Sequence, residues 1–288
     1  IARRRQRFHA SRGTQMNARP PRIHLSGWRG LLATALGLTP ILFGFGIPLF
    51  IFGRYALNRL HQATEPALSK AFLTSLGTGF ATAVLTVGIA LLLIYAARLS
   101  RRRSMAILVR FAAIGYAMPG TILALGLLIS LARFDNFIDA LAREYVGFST
   151  GLILTGSATA VVLACTIRFL ALAEGAIQAG LDKLPPHLDE AARSLGRSAP
   201  VSAATVLLPL LKPAVLTAGI LVFVDTVKEL SATILLRPFG FRTLATYVHE
   251  NAARGAVEDG AMAALLIIAT ATVPVILLSG SLTRDRDA

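Results

Sequence analysis

Three ionisable residues, Asp225, Lys228 and Glu229, stand inside the apolar run AGILVFVDTVKELSATILL (218–236). A charge at the centre of a bilayer helix costs about 2.5–3.5 kcal/mol on insertion scales, so such groups turn toward protein or a water-filled path. On a helix, Asp225 lies three residues before Lys228 and four before Glu229, which puts all of them near one face. Asp225 and Lys228 can then pair with each other, leaving Glu229 to find a partner on another span. Three arrangements fit this pattern: a structural ion-pair knot, a gate or lining group of a translocation path, or a helix break with its charges near an interface.

A second constellation occupies LPPHLDEAARSLGRSAPVSAATVLLPLLKP (184–213), a polar, helix-prone island between two apolar runs. Pro185 and Pro186 suit a helix's first turn, where a missing N–H is no loss. Asp189 and Glu190 add negative charge where the helix dipole favours it. Gly196 is placed to end that helix in a left-handed conformation. Ser198 can cap a second helix, with Pro200 in its opening turn. The expected product is two short helices and a tight corner, held outside the membrane as a docking knob.

These residues need spans to position them, and composition supplies them. The chain has 288 residues, of which 55% are hydrophobic and 15% charged, with a mean hydropathy of +0.65. That excludes an ordinary soluble domain and points to an all-α polytopic membrane protein. Six apolar segments approach the roughly 20 residues a spanning helix needs: 31–52, 71–97, 106–131, 151–173, 214–236 and 261–280. Residues 1–30 are basic and lack an apolar stretch, so they read as a cytoplasmic arm or linker. Residues 31–288 form the membrane domain, with 174–213 as a cytoplasmic insertion between spans four and five.

The net charge of +14 is explained by topology rather than by nucleic acid, because the basic residues fall mostly between spans. Twenty of the lysines and arginines lie on one side, eight on the other, and Lys228 lies inside a span. Arg168 is counted with the richer side. Positive-inside then places both termini and the island in the cytoplasm. Cys165, the single cysteine, sits in an apolar run and reads as a small buried hydrophobe.

The pattern Glu190-Ala191-Ala192, Gly196, Val206-x-Leu208-Pro209 resembles the cytoplasmic EAA loop of permease subunits in binding-protein-dependent ABC importers. FVDTVKELSATILLRPFGFRTLATYVHE (223–250), together with PGTILALGLL (119–128), resembles iron(III) importer permeases. The resemblance implies that the helix around 186–195 seats in a groove of a separate ATPase. Glu190 would offer its carboxylate to a basic residue there, Ala191 and Ala192 would allow close approach, and Gly196 would permit the corner. Leu208 and Pro209 would pack the second helix back on the membrane domain.

No GxxxxGK[ST] phosphate loop occurs in the chain. ATP and magnesium are therefore expected in an ATP-binding cassette ATPase dimer, and this chain is expected to carry no cofactor, catalytic residue or metal. The other implied partners are a second permease half, a periplasmic substrate-binding protein and membrane lipid, in a bacterial inner membrane. Permeases of that branch usually fuse two halves. This chain, with one EAA pattern, is expected to be the C-terminal half of such a fusion or a self-dimerising half. Thiamine, sulfate and polyamine permeases are near neighbours, and an ATP-independent channel or proton-coupled carrier is the reading from another class.

Lesser candidates are Asp135, Asp139 and Glu144 in an outer segment, and Tyr247, His249 and Glu250 before the last span. Each set reads more simply as an amphipathic surface. Arg101-Arg102-Arg103 reads as a topology anchor.

Overall fold

The computed structural model describes residues 25–100, 107, 111–112, 114–185, 188, 192, 194 and 196–284, the last eight by their backbone alone. The described segments are helical, and six of the helices are long and apolar enough to cross a membrane. These are Gly27–Asn58, Pro66–Ser100, Gly120–Tyr145, Ala158–Leu181, Ala199–Val227 and Val257–Ile276. The chain separates into two compact units at Phe50. In the first, α1 (Gly27–Ile41) contains Pro40 and passes through a π-turn at Leu42–Gly46. Proline removes one ladder hydrogen bond, which is where such turns tend to enter a helix. Helix α2 (Ile47–Asn58) continues into the second unit.

The second unit is organised around α3 (Pro66–Ser100). At 1.5 Å per residue it is about 52 Å long, well beyond a hydrocarbon core of about 30 Å. The short α4 (Ile114–Ala117) is followed by a break at Met118 and Pro119, then by α5 (Gly120–Tyr145) and α6 (Ala158–Leu181). A helical turn, α7 (Ala199–Ser202), runs through a π-turn at Ala203–Leu207 into α8 (Leu208–Val227). Then come α9 (Ser231–Leu236), α10 (Leu244–Ala253) and α11 (Ala261–Arg284).

Helices α3, α6 and α8 pack on one another through small side chains: Ala83, Ala90, Ala160, Ala164, Cys165, Ala173 and Ala218. In lipid there is little hydrophobic drive between helices, so close backbone approach by small residues has to supply the contact energy. A Cβ on Gly79 would come within 2.9 Å of the Phe223 ring, and one on Gly180 would overlap Ala214. Cys165 is fully buried and unpaired, as its apolar setting requires.

A second cluster joins the start of α3 to α10 and α11 through Leu68, Ala71, Leu244, Tyr247 and Ala263. There the Ser75 hydroxyl accepts the Leu244 N–H at 2.7 Å, and Thr243 caps α10. Arg59 bonds Asp259 and, at 2.9 Å, Glu258, which ties the end of α2 to the turn before α11.

The span boundaries differ from the sequence expectation at instructive places. The third segment breaks at Met118 and Pro119, and the part after the break is continuous helix to Tyr145. The fifth begins at Ala199, not 214, and ends at Val227, not 236. The expected second short helix of the polar island is therefore the first turn of the fifth span. Gly196 turns the chain, and residues 197–202 lead into a helix that does not stop after its first turn. Charge and proline content alone cannot separate those two outcomes.

Candidate functional site

Glu229 does not share a helical face with Asp225, because α8 ends at Val227 and residues 228–230 are non-helical. At this break the chemistry of the three charges separates. Lys228, half-exposed, pairs with Asp225 at 2.6 Å on the last turn of α8. Glu229 turns inward, with only 8% of its surface exposed, and accepts from Arg168 Nη1 on α6 at 2.7 Å. The same carboxylate oxygen accepts the Ala232 N–H at 3.0 Å, and Thr233 Oγ1 donates to the Glu229 carbonyl at 3.0 Å. Glu229 thus satisfies one amide beyond the break while its charge is matched from a neighbouring span.

A second interruption meets the first. A Cβ on Gly120, the first residue of α5 after Pro119, would overlap Arg168 Nη1 and lie 3.0 Å from Ser231 Cβ. One turn earlier, a Cβ on Gly115 would overlap the Ile167 carbonyl. Arg168 therefore lies where two broken helices, α4–α5 and α8–α9, converge on an unbroken one, α6. Removing one member of such a pair is costly, because the other charge is left buried. The site holds two helix breaks in register through one ion pair.

Arg168 is the residue that sequence reasoning missed. The count by loops puts it on the basic side, yet it sits mid-helix, with 23% of its side chain exposed. The signal was present, since Arg168 interrupts the apolar stretch AVVLACTIRFLAL (160–172). Without it the lysine and arginine bias remains nineteen against eight.

Of the EAA residues, Glu190 and Ala191 lie outside the described residues, as do Pro186, Asp189 and Arg101 to Arg103. Ala192 is 8% exposed, and its carbonyl accepts the Arg197 N–H at 3.3 Å. Between them Gly196 takes φ +84, the left-handed corner expected of it. Leu208 and Pro209 do not pack inward. Leu207 and Leu211, one turn apart, are buried at 4% and 6%, which leaves Leu208 and Pro209 on the outward face.

The lesser candidates resolve into structural contacts. The Asp135 carboxylate, 1% exposed, accepts from Leu154 N, Thr155 N and Thr155 Oγ1, pinning the turn before α6. Asp139 accepts from Ser149 Oγ and Gly151 N and pairs with Arg143 at 2.8 Å. Glu144 is exposed. Tyr247 donates its hydroxyl to Glu65 at 3.3 Å, Glu250 is held by Arg237 and Arg242, and His249 is exposed. Burial first, and then the Glu65 carboxylate, push the Tyr247 phenol up, so it stays a donor at neutral pH.

Residues 90–284 match the family described as "Binding-protein-dependent transport system inner membrane component". The chain is 29% identical over 212 residues to the Fe(3+)-transport system permease protein FbpB 2 of Haemophilus influenzae, covering 74% of this chain and 38% of that protein. It is 30% identical over 125 residues to the putative 2-aminoethylphosphonate transport system permease protein PhnV of Salmonella typhimurium, covering 43% of this chain and 47% of that protein. The chain thus spans less than half the length of these curated relatives. Among solved structures it resembles a chain of a bacterial alginate ABC transporter in complex with a pentasaccharide-bound periplasmic protein. The TM-score is 0.66 at 15% identity, over 86% of this chain and 90% of that one, a likeness of fold.

Proposed function

Because the chain belongs to the binding-protein-dependent transport system inner membrane components, we propose that it is the membrane-spanning subunit of an ATP-driven importer. It forms the path for a substrate handed over by a soluble binding protein on the outer side. The richer basic side, with both termini and the Glu190–Gly196 corner, faces the cytoplasm. There the residues around Glu190, Ala191 and Ala192 engage an ATP-binding cassette ATPase dimer that holds the ATP and magnesium, and a second permease half completes the path. Gly196 carries this reading. Its φ of +84 sets the corner between the EAA sequence and a helix that runs from Ala199 to Val227. A push at that corner is transmitted along one continuous helical span to the break at Lys228–Leu230, where Glu229 meets Arg168. Alternating access by rocking of packed helices needs such a connection.

Ferric iron is the substrate we favour, on the extent of the match to the ferric permease. The match to the aminoethylphosphonate permease supports an organic phosphonate as the second reading. The break in α8–α9 supports Glu229 and Arg168 as a gate or positioning pair rather than as ligands of the substrate, since each is occupied by the other.

The test is affinity capture of the chain from detergent-solubilised native membranes, with mass spectrometry of what co-purifies. An ATP-binding cassette ATPase that is lost with Glu190→Arg is the expected result. Well-folded chain that never recovers an ATPase would overturn the proposal in favour of an ATP-independent channel or carrier. Uptake of radiolabelled ferric iron, against labelled 2-aminoethylphosphonate, by cells that express the complete system decides the substrate.

A further inference from the structure

The loop between α9 and α10 carries a cationic cleft that the transport reading does not use. Its volume is about 600 Å³, and it opens between the first turns of α3, the end of α9 and α10. Lys70, Arg237, Arg242 and Glu250 supply its charge, and Pro238 and Phe241 are among its apolar walls. Glu250 clamps both guanidiniums, accepting Arg237 Nη1 at 2.6 Å on one oxygen and Arg242 Nε at 3.0 Å on the other. The clamp engages both carboxylate oxygens and tethers the two guanidiniums, while each guanidinium keeps further N–H donors with no other hydrogen bond among the described residues. Lys70 is exposed and makes no ion pair or hydrogen bond among them. One negative charge against three positive ones leaves the cleft with a surplus of two.

We infer that this cleft binds an oxyanion of the phosphate or phosphonate class. Held guanidiniums present paired donors in the geometry that a tetrahedral or carboxylate oxyanion accepts. Glu250 holds them in advance of binding, so little side-chain freedom is lost when the anion arrives. The remaining volume, walled by Pro238 and Phe241, is larger than a bare phosphate needs and accommodates a short carbon body on the anion. Phe239, fully exposed between the two arginines, adds an apolar flank at the mouth. Lys70 and Ala67 lie in the opening turns of a spanning helix, so the cleft sits at the edge of a membrane span. The anion can therefore come from free solute or from a lipid headgroup.

The test is isothermal titration of the chain in dodecyl maltoside, a detergent without phosphate. It is titrated separately with inorganic phosphate, methylphosphonate and dihexanoyl phosphatidylglycerol below its micelle concentration. Wild-type protein is expected to bind saturably, and Lys70→Gln and Arg242→Gln are each expected to weaken binding about tenfold or more. Arg133→Gln, an exposed arginine on α5, is expected to leave binding unchanged. Lys70 holds nothing in the fold, so its substitution cannot act by unfolding the cleft. Saturation by phosphate or methylphosphonate supports the site with a free oxyanion as ligand. Saturation by the lipid alone, with the same response to the variants, supports it with a headgroup as ligand. Absence of saturable binding for every probe, or binding that Lys70→Gln and Arg242→Gln leave at the wild-type value, overturns it.

Discussion

The Arg168–Glu229 pair makes a quantitative prediction, because its two members are buried to different degrees. Glu229 is 8% exposed, and without Arg168 its charge would retain only the Ala232 amide. Breaking a buried pair by removing one partner costs about 3–5 kcal/mol. We expect Arg168→Met to fall toward the upper end of that range. Glu229→Gln leaves a guanidinium that is less buried, with 23% of its side-chain surface exposed, and the glutamine oxygen can still accept from Ala232. Its cost should fall toward the lower end. The double variant removes both charges, so no uncompensated ion remains. It should recover at least about 2 kcal/mol relative to the sum of the single losses, a coupling expected of residues in contact. The assay is reversible unfolding in mixed micelles by added dodecyl sulfate, followed by circular dichroism, for the four members of the cycle. Single losses below about 1 kcal/mol, the value of an exposed pair, would refute the picture of a buried knot. So would a double variant additive within about 0.5 kcal/mol.

Other consequences can be checked with single substitutions. Gly120→Val should cost about 1–3 kcal/mol by overpacking against Arg168 and Ser231, and part of that loss should return in an Arg168→Met background. An unchanged unfolding midpoint for Gly120→Val would contradict the close approach. Asp135→Asn should cost about 2 kcal/mol by weakening bonds to Leu154 and Thr155, with faster hydrogen exchange at those amides. Slow exchange that survives the substitution would show that another group pins the turn. Gly196→Val forces a branched side chain into a left-handed position at about 1–2 kcal/mol, and it should abolish recovery of the ATPase while the chain still inserts. Normal ATPase recovery would count against the corner as the coupling element.

Much of this protein is legible in its sequence. Period, length and apolar content made six spans inevitable, because backbone in lipid can satisfy its hydrogen bonds only within helices or closed barrels. The left-handed corner at Gly196 could be read from one residue, since only glycine takes that conformation freely. The type and spacing of the EAA residues named the family that the match over residues 90–284 shows.

The tertiary structure decided what local pattern leaves open. Asp225, Lys228 and Glu229 are equally compatible with a continuous helix and with a broken one. At the break the chain turns inward, and Glu229 meets Arg168, sixty-one residues away in sequence. Gly120 looks like a mere helix interruption until the guanidinium beside it shows why no side chain fits. Asp135 looks like a surface acid until the turn at Leu154 and Thr155 closes over it. In each case the deciding term is a pairing between residues far apart in the chain. A charge in a low-dielectric interior takes whatever partner the packing brings within about 3 Å, and sequence spacing does not encode that distance.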